Sequence, residues 1–126
     1  MNSKIPVIYI IGPFRAENSW LIEQNVRRAE EEALELWKLG FAVICPHTNT
    51  RFFNGAADDS IWLEGDKEIL KRCDAALCME NWSDSIGSRQ EVLYCKELKK
   101  LCFSSIEDLL VWYGKESGLE PKMVYE

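Results

Sequence analysis

PVIYIIGP, residues 6–13, is an unbroken apolar run closed by Gly12 and Pro13, the pattern of a short strand covered on both faces. Such a strand belongs to a parallel sheet held between helical layers. The next stretch agrees. From Ser19 to Leu39, Ile22, Val26, Ala29, Ala33, Leu36 and Trp37 recur at three- and four-residue steps, with Glu23, Arg27, Glu30, Glu31 and Lys38 on the other faces. That spacing predicts an amphipathic helix, with Gly40 at its C′ position. FAVICP (41–46) reads as the second strand, and a polar, turn-rich passage runs from His47 to Asp59. A helix is predicted over 60–72, a strand over 74–80 (DAALCME), a helix over 88–100, a short strand over 101–104 and a helix over 106–113.

This alternating order, with right-handed crossovers, predicts a three-layer α/β domain of flavodoxin- or Rossmann-like type: an open parallel sheet in the order 2-1-3-4, with room for an extra edge strand. The switch point falls between the first and third strands. Ligands bind beyond the carboxyl ends of the strands at such a crevice, so the loops GPFRAENS (12–19) and NWSDSIGS (81–88) are expected to face each other there.

Composition narrows the function. A chain of 126 residues suits one domain over 1–126, and 47% hydrophobic with 29% charged residues is the make-up of a folded globule, not a disordered chain. Fifteen basic against 21 acidic residues leave a net charge of -6, which argues against duplex nucleic acid as a partner. No apolar run approaches a membrane span, and MNSKIPVIYIIGP lacks a basic segment and cleavage site, so the chain is expected to be cytoplasmic, with no membrane partner. Five cysteines without C-x-x-C spacing and a single histidine, His47, speak against a metal site or a disulfide framework. Cys45 and Cys78 sit in apolar runs and read as core filler; a Cys–His nucleophile pair is the weaker reading. Five tryptophans (Trp20, Trp37, Trp62, Trp82, Trp112) are hard to bury in so small a core, which predicts a homodimer or higher homo-oligomer.

The chemistry concentrates in SIGSRQE (85–91). Ser88-x-x-Glu91 fits a capping box, in which the glutamate reaches back to the amide of the helix cap. It equally fits a carboxylate lowered in pKa by a helix N-terminus and aimed into the crevice, where it would attack an electrophilic carbon. Glycosyl transfer also needs a proton donor for the leaving group. Asp66 is the candidate if it lies on the inner face of its helix; otherwise it is a solvated residue beside Lys67. Asp74 reads as a strand-edge residue. Tyr9 is expected to point its phenol at the crevice, or else to be a core aromatic. Gly12 and its turn offer backbone amides to a phosphate or sugar hydroxyl, with Arg15 as charge partner. His47, Thr48 and Asn49 would read a base, or simply cap their loop. Trp82 would stack on a ring or shield its turn.

YIIGPFRAENS, the first helix with Asn25 and Ala29, GFAVICPHTNT, EGDKEILKRCDAALCMENW and SIGSRQE together resemble the nucleoside 2-deoxyribosyltransferase-like superfamily over about residues 5–103. The similarity extends to its deoxynucleoside 5′-monophosphate N-glycosidases. The resemblance implies that Glu91 is the nucleophile, that Asp66 assists the leaving base, that Tyr9 joins them, and that Ser85 and Gly87 line the sugar or 5′-phosphate site. Gly12, Pro13, Phe14, Arg15, His47 and Ser88 complete the expected substrate-binding set. No metal or cofactor is implied. The expected function is cleavage or transfer at the N-glycosidic bond of a 2′-deoxynucleoside or its 5′-monophosphate. The alternatives are a ribonucleotide N-ribohydrolase and a non-catalytic nucleotide-binding module.

Overall fold

The structure, a computed structural model, describes residues 5–114 and 121–126; the first four residues of the leader reading lie outside them. Four strands, β1 (Val7–Ile11), β2 (Ala42–Ile44), β3 (Ala75–Cys78) and β4 (Cys102–Phe103), form one sheet in the order β2-β1-β3-β4. Every pairing is parallel; Tyr9 lies opposite Ile44 on one side and Ala76 on the other. This is the flavodoxin-like α/β order expected from the sequence. Among the described residues there is no fifth strand. Instead the amide of Val124 donates to the carbonyl of Cys102 at 2.8 Å, and the Tyr125 hydroxyl donates to the Lys100 carbonyl at 2.9 Å. The C-terminal segment thus covers the outer edge that β4 would otherwise expose.

The helices are α1 (Ser19–Lys38), a single turn α2 (Pro46–Asn49), α3 (Asp59–Arg72), α4 (Ile86–Leu98) and α5 (Ile106–Gly114). Strand alternation sorts them into two layers. Ile8, Ile10, Ala75, Leu77 and Phe103 face α1 and α5, packing on Ala29, Ala33, Leu36 and Leu109. Tyr9, Ile11, Ala76, Cys78 and Cys102 face the other way, onto Leu70 and Cys73 at the end of α3 and Val92 and Cys95 of α4. Because both faces are buried, the strands read as continuous apolar runs.

Several boundaries differ from expectation for local reasons. The second strand is shorter than 41–46, because Pro46 cannot donate to a ladder but suits the first turn of a helix, and it opens α2 inside the passage read as turns. At the end of α1, Gly40 (φ +100°) occupies the predicted C′ position. There Phe41 N–H donates to Leu36 C=O at 3.1 Å and Gly40 N–H to Trp37 C=O at 3.0 Å, a Schellman closure whose apolar partners, Phe41 and Leu36, are both in the core. Asp74 fills the edge role read for it, its carboxylate accepting from Val7 N–H at 2.8 Å. None of the five tryptophans is fully buried, and Trp20 and Trp37 are 69% and 54% exposed.

The end of α4 carries the strain that Gly40 avoids. Lys99 is the one non-glycine residue with positive φ among those described (+56°), and a side chain in that region costs about 1 kcal/mol relative to glycine. Lys99→Gly is therefore expected to raise stability by about 0.5–1 kcal/mol in urea unfolding. A loss of stability would show that the Lys99 side chain contributes more than its backbone costs.

Candidate active site

A cavity of about 730 Å³ opens beyond the carboxyl ends of β1 and β3, a volume suited to a small organic ligand. Three pieces of backbone supply most of its wall, with Pro46, His47, Thr50 and Asn54 closing another side. The loop after β1 contributes Gly12, Pro13, Phe14 and Arg15; α3 contributes Asp59, Trp62, Leu63 and Asp66; the turn from β3 into α4 contributes Asn81, Asp84, Ser85, Gly87, Ser88 and Glu91. The two loops expected to face each other do so.

The start of α4 decides what Glu91 can do. A 3-10 turn at Trp82–Asp84 delivers Ser85, not Ser88, to the N-cap, where its hydroxyl accepts from Ser88 N–H at 3.2 Å. The helix begins two residues earlier than predicted. Glu91 is consequently six residues past the cap, a full turn too deep to reach the cap amide, and the capping-box reading is overturned. Its carboxylate instead accepts a hydrogen bond from the Tyr9 hydroxyl at 2.5 Å, spanning 82 residues of sequence.

Burial works on all three groups. It pushes Glu91 up to about 7, against the Tyr9 hydrogen bond, which lowers it, and with Asp66, whose charge raises it further. The expectation that the helix N-terminus would hold Glu91 below the usual carboxylate range is therefore corrected: beyond the first turn the dipole is weak and desolvation dominates. Asp66, half-buried on the inner face of α3, is pushed up by burial to about 6. Tyr9 is pushed far above the ordinary phenol value, first by burial and then by the Glu91 and Asp66 carboxylates. It remains a proton donor at any physiological pH. Tyr9 is fully buried and stands behind Glu91 and not on the cavity wall, contrary to the expected lining.

The other expected residues sort by what holds them. A Cβ on Gly12 would run into the Met79 side chain, 2.9 Å from its Cγ and 3.2 Å from its Cβ, so glycine here permits close approach to β3. A Cβ on Gly87 would meet only the Ser85 Oγ, at an ordinary contact of 3.8 Å. Arg15 is drawn to Asp59 at 2.5 Å and Asn54 at 3.1 Å, linking the first loop to the start of α3. His47 is buried, with Nε2 2.9 Å from the Gly12 carbonyl and 3.1 Å from that of Pro13, and Nδ1 3.8 Å from Cys45 Sγ. Its ring borders the cavity but its nitrogens are taken by the protein, which leaves none free to read a base. Burial raises the Cys45 thiol and lowers His47, the opposite of an activated nucleophile pair. Ser88 is buried with a hydroxyl that has no partner among the described residues.

Trp62 and Leu63 are wall residues that the sequence reading missed. Asp59, Trp62, Leu63 and Asp66 are spaced i, i+3, i+4, i+7, a stripe that marks one helix face. Asn25 and Arg28 of α1 also border the cavity. Among the described residues no group of three or more His, Cys, Asp or Glu is placed to hold a metal ion.

An open parallel α/β sheet with two carboxyl groups, Asp66 and Glu91, on a cavity at its switch point is the arrangement the residues build. Residues 6–104 match the family model described as "Domain of unknown function (DUF1937)". The chain belongs to that family. Among solved structures it is similar to a 2-deoxyribosyltransferase from the psychrotolerant bacterium Bacillus psychrosaccharolyticus, at 20% identity and a TM-score of 0.60 over 77% of this chain and 69% of the other. That likeness is one of fold. No curated protein matches the sequence.

The raised Glu91 value has a thermodynamic consequence. In the folded state Glu91 holds its proton more tightly than in the unfolded chain, so its contribution is fully favourable below about pH 4 and is lost as pH rises through about 7. Glu91→Gln, which can still accept from Tyr9, is expected to match the wild type at pH 4 and exceed it by about 3 kcal/mol at pH 9. Equal stability across that range, by chemical denaturation, would show that Glu91 is not desolvated.

Proposed function

We propose that the protein breaks the N-glycosidic bond of a 2′-deoxynucleoside or its 5′-monophosphate through a glycosyl-enzyme on Glu91. The observation that carries this reading is the pairing of two desolvated carboxyls on one cavity, with Glu91 fixed from behind by Tyr9. With Oε2 held by the Tyr9 hydroxyl, Oε1 is the oxygen left to attack C1′. As the C1′–O bond forms, the C1′–N bond breaks and its electron pair leaves with the base. The two carboxyls face one cavity and the Asp66 charge disfavours that of Glu91, so the pair shares a proton; in the reactive form Glu91 is ionised, and Asp66 holds the proton and delivers it to the departing base. Water or a second base then attacks C1′, Glu91 leaves as carboxylate, and Asp66 takes the proton back. Tyr9 does not touch the sugar in this scheme; it orients Glu91 and keeps one oxygen satisfied in a desolvated site.

The cavity floor supports a polar 5′ end. The N-terminus of α4 leaves backbone donors open, and beside them the buried Ser88 hydroxyl lacks a partner. We assign the sugar 5′-oxygen or its phosphate to this end, near Ser85, Gly87 and Ser88. The exposed Trp20 and Trp37 on α1 support the further inference that the protein works as a homo-oligomer, and the cysteine usage favours the cytoplasm as its compartment. A single species of monomer mass in light scattering at micromolar concentration would refute self-association.

Glu91→Gln separates catalysis from structure. Followed by chromatography of free base from the four common deoxynucleosides and their 5′-monophosphates, the variant is expected to lose at least about 10³-fold in rate while remaining folded. Asp66→Asn is expected to lose less on substrates whose base leaves easily. A Glu91→Gln protein keeping more than about a tenth of wild-type activity, a barrier change under about 1.4 kcal/mol, would refute the assignment.

A further inference from the structure

Three successive carbonyls of the loop after β1 are taken by side chains from outside it. Those of Gly12 and Pro13 meet His47 Nε2 at 2.9 and 3.1 Å, and that of Phe14 accepts from Asn25 Nδ2 at 3.0 Å. A nitrogen facing two carbonyl oxygens must carry hydrogen, since an unprotonated one would set lone pair against lone pair. His47 is therefore the Nε2–H tautomer, with Nδ1 unprotonated and turned to the Cys45 thiol at 3.8 Å.

The consequence for the loop follows from peptide geometry. No peptide bond is cis among the described residues, and in a trans peptide the N–H points opposite to the preceding C=O. Once His47 fixes the Pro13 carbonyl, the Phe14 N–H is turned away from His47. Once Asn25 fixes the Phe14 carbonyl, the Arg15 N–H is turned away from Asn25. Neither amide has a hydrogen-bond partner among the described residues, and both residues border the cavity. The third carbonyl, that of Gly12, precedes Pro13, which has no N–H to present.

We infer that His47 is a positioning residue: with Asn25 it consumes the loop's carbonyls and so presets the Phe14 and Arg15 amides as donors for a ligand oxygen at the cavity wall. The ligand side of this inference rests on the nucleotide reading of the cavity; the loop side does not. His47 thereby acts through the Gly12–Phe14 backbone, with both ring nitrogens engaged by the protein.

His47 is the single histidine of the sequence, so ring ¹⁵N NMR of the unmodified protein at pH 7.5 reports on it without mutation. A neutral ring protonated at Nε2 is expected; protonation at Nδ1 overturns the inference. The amides of Phe14 and Arg15 are then followed in His47→Phe, which keeps bulk but loses the donor, and in His47→Gln, which restores an N–H. Because both amides lack a partner, the readout is the order of the loop: backbone ¹⁵N order parameters of Phe14 and Arg15 are expected at about 0.85 in the wild type, below about 0.6 in His47→Phe, and back near the wild-type value in His47→Gln. Unchanged order parameters in His47→Phe overturn the positioning role. In base release from a deoxynucleoside 5′-monophosphate, His47→Phe is expected to raise KM about tenfold with kcat within about threefold, and His47→Gln to restore KM. An unchanged KM in His47→Phe refutes the ligand side of the inference. If the wild type releases no base, the proposed function fails, and the ring and amide measurements still decide the role of His47.

Discussion

The hydrogen bond from Tyr9 to Glu91 is the constraint on which the site depends. It joins the central strand to the helix that leaves its neighbour, and it exists because strand alternation puts Tyr9 on the α3 and α4 side of the sheet while Ile8 and Ile10 face the opposite layer. Shift the register of β1 by one residue and the phenol would point into the α1 layer. The bond is part-buried at the cavity wall, and burial raises both partners. A carboxylate so placed is a poor stabiliser of the fold and a good nucleophile: it has little hydration to shed and one oxygen already engaged. Tyr9 itself is held in place by its burial in one cluster with Ile11, Cys78 and Val92.

The same topology explains why the second carboxyl arrives from α3. With β1 and β3 adjacent, the crossover into β3 must pass over the crevice, and α3 is that crossover. Only Leu70 of α3 is fully buried. Its N-terminal half therefore owes its place to the cavity side, where Asp59 is tied to Arg15 and Trp62 packs against Phe53 with ring centres 5.5 Å apart. Arg51, held between Glu23 and Glu30 of α1, secures the segment that carries Phe52 and Phe53. The wall that carries Asp66 is thus braced by polar contacts at its rim, whereas the wall that carries Glu91 is set in the core.

Much of the architecture was legible in PVIYIIGP and in the helix that follows, because a doubly covered strand, an amphipathic helix and a C′ glycine are local patterns with few alternatives. The crevice and its two loops follow from strand order. The phase of α4 was not legible, since Ser85 and Ser88 are both competent caps and the choice between them is made by the 3-10 turn upstream. That three-residue difference in the cap changes Glu91 from a capping residue into the partner of Tyr9, and with it the direction of its pKa shift. The role of His47 was hidden for a related reason: a histidine after a strand signals a base contact as readily as a backbone clamp, until the carbonyls it meets, 34 and 35 residues away, are located. The stripe of Asp59, Trp62, Leu63 and Asp66 was readable as one helix face, but a helix face is ordinarily assigned to the core.

The central claim is a covalent bond between Glu91 and C1′ of the sugar. Its most direct test is mass spectrometry of the protein quenched in acid during turnover of a deoxynucleoside 5′-monophosphate, followed by peptide mapping. A mass increase equal to one deoxyribosyl phosphate is expected, carried on the peptide containing Glu91 and lost in Glu91→Gln. Release of base with no adduct under any quench time, or an adduct on a residue other than Glu91, would contradict it.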